Sequence, residues 1–164
     1  MEEGEKMSFD FNADDIFEMA ERIERNGAKF YRTAAEKVDD PSVKELLLGL
    51  AGMEDEHEKT FVLLRADLSK KEKAATVFDP EGESALYLRA LADTEVFFKK
   101  DIDVSSMEEI LKASITAEKD SIVFYLGMMQ FVPEELGKDK LGKIIKEEMV
   151  HIRILSKELV SLNR

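Results

Sequence analysis

The sequence contains no cysteine. Disulfides, thiolate nucleophiles, iron–sulfur clusters and cysteine-held zinc are thereby excluded. Any metal has to be bound through oxygen and imidazole nitrogen. No run of about eighteen apolar residues occurs, so nothing reads as a membrane span. The opening stretch, MEEGEKMSFD, is acidic and lacks the apolar core of a secretory leader, which makes the cytoplasm the expected location. Positive charge is scarce: 24 Lys and Arg stand against 36 Asp and Glu, a net charge of −12. A phosphate backbone or an anionic lipid surface would be repelled, so neither nucleic acid nor membrane is an expected partner. The acidity would attract cations, but a soluble charged surface explains it more simply. What is present is ordinary for one globular domain over residues 1–164: 44% apolar and 37% charged residues.

The apolar periodicity predicts an all-α fold. A first helix is expected over 13–38, with Asn12 as its cap. A second is expected over 41–69, opened by Asp40 and by Pro41 at its first position. A third is expected over 106–131, where Ser106-Met107-Glu108-Glu109 reads as a capping box, ending before Pro133. A fourth is expected over 139–162. The connections around Asp39–Asp40 and Pro133–Lys138 are short, so each flanking pair must form an antiparallel hairpin. The segment 70–105 is too long for a structureless loop in a compact domain. Its apolar pattern at Leu86, Ala90, Val96 and Phe97 predicts a short crossover helix over 83–99. Two hairpins joined by one long crossover make a four-helix bundle.

The chemistry lies on the buried seams. In steps of three and four, the first helix gives Phe17, Ala20, Glu24, Gly27, Tyr31, Ala34 and Val38. The second gives Leu47, Leu50, Glu54, His57, Phe61 and Leu64. The third gives Leu111, Ser114, Glu118, Ser121, Tyr125 and Met128. The fourth gives Leu141, Ile144, Glu148, His151 and Leu155. Every seam is interrupted near mid-helix by glutamate, and twice a histidine follows at i+3. The chain has only two histidines, and both sit in Glu-x-x-His. A shift of 94 positions lays Glu24, Phe30, Tyr31, Glu54 and His57 on Glu118, Phe124, Tyr125, Glu148 and His151. The hairpins therefore read as two copies of one unit related by a pseudo-two-fold axis.

Any one of these glutamates could sit on a solvated face. Four buried together would repel one another severely, and an unpaired buried carboxylate costs several kcal/mol. Two divalent cations would neutralise four carboxylates, and Glu and His at i and i+3 share a helix face. Glu24, Glu54, His57, Glu118, Glu148 and His151 are therefore the predicted metal ligands. Tyr31 and Tyr125, two turns along the same seams, are candidates for hydrogen-bonding those ligands. Two core tyrosines with satisfied hydroxyls would look the same. Gly27 and Ser121, one turn past Glu24 and Glu118, leave room beside the ligands or serve helix packing.

On these motifs the chain resembles the ferritin-like superfamily of di-iron carboxylate proteins, most nearly the rubrerythrin-type helical domain, over about residues 13–162. The resemblance implies a ferritin-like four-helix bundle holding two irons, with Glu54 and Glu148 bridging and Glu24 and Glu118 terminal. It further implies an oxidoreductase acting on peroxide or dioxygen in oxidative stress, and a homodimer. Rubrerythrins carry a four-cysteine rubredoxin module as electron donor. With no cysteine here, the donor is expected to be a separate protein. They also use a further glutamate on the third helix, at the place of Ser121. The remaining six-ligand set is shared with bacterioferritin-type ferroxidase centres, so iron handling is the alternative. A manganese catalase-like enzyme, or a bundle whose metals serve only structure, completes the expectations.

Overall fold

The computed structural model describes residues 13–68, 86, 87, 90, 106–130 and 132–163. Among the described residues there are four long helices: α1 (Ala13–Lys37), α2 (Pro41–Ala66), α3 (Met107–Met129) and α4 (Lys138–Leu162), with a 3₁₀ turn at Glu134–Leu136 before the last. The expected cap Asn12 lies outside the described residues. So does the crossover 70–105 with its helix 83–99, except for Leu86, Tyr87 and Ala90, which are helical. No described helix is long and apolar enough to cross a membrane.

Local chemistry sets most helix ends. The Asp40 carboxylate accepts from the backbone N–H of Ser42 (2.8 Å) and Val43 (3.3 Å), and Pro41 supplies no donor needing a partner. Ser106 Oγ accepts from Glu109 N at 3.1 Å and starts α3. The second helix stops at Ala66, short of the expected 69, because Asp67 caps it with its N–H bonded to Leu63 and Arg65 carbonyls. The third stops at Met129, where the Gln130 N–H turns to Gly127 and Met128. Gly137 opens α4 in the left-handed region, φ 102°. A Cβ there would lie 2.3 Å from Leu64 Cδ2, so the turn between α3 and α4 closes tightly on the end of α2.

The core is two apolar clusters. One holds Phe17 and Ala20 of α1, Phe61 and Leu64 of α2, Phe124 and Met128 of α3, and Leu141 and Ile144 of α4. The other holds Ala34 of α1, Val43 and Leu47 of α2, Ile110 and Leu111 of α3, and Leu155 of α4. The start of α1 thus packs with the ends of α2 and α3 and the start of α4. Within each hairpin the helices are antiparallel, and α1 also runs opposite to α3. A polar layer at mid-height divides the two clusters.

Candidate metal centre

That layer is built by the interrupted seams. Glu24, Glu54, His57, Glu118, Glu148 and His151 are all buried, none more than 4% exposed. The structure brings all six together in two overlapping groups. Glu24, Glu54, His57 and Glu148 form one; Glu54, Glu118, Glu148 and His151 form the other. In each, one potential ligand atom per residue lies within 4.8 Å of all the others. Glu54 and Glu148 belong to both groups and so stand between them.

Both imidazoles turn Nδ1 inward. His57 Nδ1 lies 2.9 Å from Glu148 Oε1, 3.5 Å from Glu24 Oε2 and 3.7 Å from Glu54 Oε2. His151 Nδ1 lies 2.9 Å from Glu148 Oε2 and 3.4 Å from both Glu54 Oε1 and Glu118 Oε1. The rings are nearly parallel, their centroids 5.8 Å apart. The approach of His151 Nδ1 to Glu148 Oε2 is close but not aligned as a hydrogen bond. Both atoms are buried without a hydrogen-bond partner, as are Glu24 Oε2 and His151 Nε2. Buried polar atoms normally have partners. His57 Nδ1 and Glu148 Oε1 do form a hydrogen bond, but the unpartnered atoms, gathered at short range and not aimed at one another, are what a shared third atom requires, so the set fits a bound cation.

The charge balance points the same way. Burial, then repulsion from neighbouring carboxylates, pushes the Glu54 and Glu148 carboxyls well above their usual range. Burial also works upward on Glu24, but hydrogen bonds involving Glu54, His57 and Tyr125 outweigh it and hold that carboxyl low. Glu118 is held low likewise by Glu148, His151 and Tyr31. Burial alone would depress both imidazoles. The surrounding carboxylates instead raise His57 far above its ordinary value and His151 to about 12. The upward shifts of Glu54, Glu148 and both histidines all favour the protonated forms, which lessens the negative charge of the metal-free layer. Two divalent cations would balance four ionised carboxylates instead.

Tyr31 and Tyr125 cross between hairpins. Tyr31 Oη on α1 donates to Glu118 Oε1 on α3, and Tyr125 Oη on α3 donates to Glu24 Oε1 on α1. Burial, then the nearby carboxylates, pushes both phenols well above their usual range, so they remain donors. Ser121 Oγ is buried and bonds back to the Ala117 carbonyl of its own helix at 3.0 Å.

One contact was not predicted from sequence. His57 Nε2, the outward nitrogen, lies 2.7 Å from Glu147 Oε2. Glu147 is half-buried and lines an open pocket of about 390 Å³ together with Gly49, Gly52, Met53, Glu56 and His57. A Cβ on Gly49 or Gly52 would meet nothing within 4 Å, so the space beside these glycines is open. Following only inward seam positions passes over Glu147, which flanks the seam one residue before Glu148.

The family model described as Rubrerythrin matches residues 15–159. A crystal structure of a ferritin-like diiron-carboxylate protein from Thermotoga maritima is similar, with a TM-score of 0.67 and 26% identity over 92% of this chain and 95% of that one. No curated protein matches.

Proposed function

The chain belongs to the rubrerythrin family, and on that footing we propose that it is a di-iron oxidoreductase that reduces peroxide or dioxygen in the cytoplasm. The observation that carries the reading is the pair of overlapping three-glutamate, one-histidine groups sharing Glu54 and Glu148. Glu24 and His57 would hold one iron, Glu118 and His151 the other, and Glu54 and Glu148 both. The irons would supply the two electrons that cleave an O–O bond.

The chain's own residues do the rest. The apolar clusters above and below the layer keep bulk water out, which strengthens every charge interaction inside. Tyr31 and Tyr125 fix Oε1 of Glu118 and Oε1 of Glu24 and hold a proton there. The open pocket lined by His57 would bring a small oxidant to the edge of the layer. With no cysteine in the chain, electrons would come from a separate donor protein. A homodimer is the assembly the family likeness favours.

The test is anaerobic titration of metal-free protein with Fe²⁺, followed by one equivalent of peroxide or dioxygen. Two irons per chain and oxidation of both are expected. A chain that binds no iron, or whose bound iron reduces neither oxidant, removes the reading. Ser121 at the place of a fifth carboxylate favours a second reading, iron oxidation for storage. Light scattering separates the two, because storage needs a hollow multi-subunit shell. Metal analysis of native protein separates iron from manganese, which suits the same ligands.

A further inference from the structure

The two halves of the layer match in sequence but not in what stands behind their histidines. His57 Nε2 has the Glu147 carboxylate at 2.7 Å. His151 Nε2 is buried with no hydrogen-bond partner among the described residues. The shift of 94 that superposes the hairpins sets Met53, which has no acceptor oxygen, at the position matching Glu147. Symmetry therefore holds for the six inward residues and for both tyrosines, and fails at Met53 and Glu147.

A histidine that binds a cation through Nδ1 must carry its proton on Nε2, and an acceptor there fixes both tautomer and ring orientation. Glu147 does this for His57. We propose that Glu147 is a positioning residue that acts through His57, and that it makes the two metal positions unequal, the one on His57 binding a divalent cation more tightly than the one on His151. The inference rests on the reading of the layer as a two-cation site. It adds that the asymmetry is written outside the ligand set, in Glu147 and Met53. A carboxylate behind a ligand histidine raises the basicity of the ring and prevents its rotation, so the tighter position fills first.

The experiment uses Co²⁺ as the probe, followed by calorimetry and visible absorption, on metal-free full-length chain. Wild type is expected to take up two ions in two resolved steps. Glu147→Met gives α4 the residue that α2 already carries. It is expected to weaken the tighter step by about 10–100-fold, the usual effect of an outer partner, while the other step moves less than about threefold. Glu147→Gln, which keeps an acceptor oxygen, is expected to lose less than Glu147→Met. Met53→Glu, in the otherwise native chain, is expected to tighten the weaker step. Both positions are partly exposed on helices, and the residues exchanged are all good helix formers. A role in folding alone would shift both steps together and lower the melting temperature. Two steps unmoved by Glu147→Met, or moved equally, overturn the inference and leave the metal site standing. A wild-type chain that binds no Co²⁺ overturns both. Should Glu147→Met fail to fold, a Met53→Glu chain whose weaker step does not tighten overturns it alone.

Discussion

The Tyr125 hydroxyl on α3 donates to the Glu24 carboxylate on α1, across 101 residues of sequence. Its counterpart, Tyr31 to Glu118, crosses the other way. The exchange ties the two hairpins together at the height of the acidic layer, where apolar packing is interrupted. Phenylalanine at 125 would fill the same space but leave Glu24 without its donor. Losing a hydrogen bond to a buried charged acceptor costs about 1.5–3 kcal/mol. Tyr125→Phe and Tyr31→Phe are each expected to lower the unfolding free energy of metal-free protein by that amount, read from urea denaturation. Values within about 0.5 kcal/mol of wild type would show that the hydroxyls are idle.

Much of this was legible in the sequence. A glutamate interrupting an apolar seam carries a clear physical meaning, and four of them at matching heights with two histidines at i+3 left few arrangements open. The tyrosines could be placed because they lie seven residues, two helical turns, along the seam from Glu24 and Glu118. Their acceptors could not, since seam periodicity says what a residue faces but not which helix answers it. The inward turn of Nδ1 was likewise hidden, because spacing does not distinguish the two ring nitrogens. Glu147 was missed because it flanks the seam and because the internal repeat offers Met53 in its place. The end of α2 was misjudged by three residues, as no Gly or Pro marks Asp67 as a cap.

Gly137 tests the turn that sets α4 against α2. Its φ of 102° strains any residue with a Cβ, and Leu64 Cδ2 occupies the space a Cβ would need. The Leu64 side chain can move aside, whereas the backbone strain remains. Gly137→Ala is expected to cost about 1–3 kcal/mol of stability. The six ligands stand well inside the helices, so metal stoichiometry should not change. A loss of metal with unchanged stability would contradict this account.

Glu54 and Glu148 separate stability from metal affinity. In metal-free protein each is a buried acid crowded by other carboxylates. Gln at either position keeps the shape and carries no charge at any pH. Burial and the neighbouring carboxylates disfavour the ionised form of each carboxyl, a cost that Gln, neutral in both folded and unfolded states, does not carry. Glu54→Gln is therefore expected to unfold later than wild type in metal-free form. Because Glu54 belongs to both potential metal groups, it should also weaken both binding steps beyond the roughly 10–100-fold of an outer partner. A variant that loses stability and keeps its metals would reverse the assignment.

The stability of metal-free protein and its affinity for metal should depend on pH with opposite signs. His151 is raised from 6.5 to about 12 and His57 is raised further, so both hold protons that the unfolded chain releases near neutrality. The folded state then binds more protons than the unfolded one above pH 6.5. Stability present below that value is lost as pH climbs toward the folded values. The raised carboxyls of Glu54 and Glu148 add to the loss, beginning above 4.5. Glu24 and Glu118, held low, act only on the acid side, where their contribution falls away below 4.5. Metal-free protein is thus expected to become steadily less stable from pH 6.5 to 9 in urea titrations. Cation binding needs the same four groups deprotonated, so the apparent affinity for Co²⁺ should rise over that interval, with protons released to the buffer. The loaded protein would gain in stability, relative to the metal-free form, as the metal-free form declines. Calorimetry in two buffers of different ionisation enthalpy counts the protons. Binding without proton release, at an affinity independent of pH, would mean that the layer is not charged in the way its geometry requires.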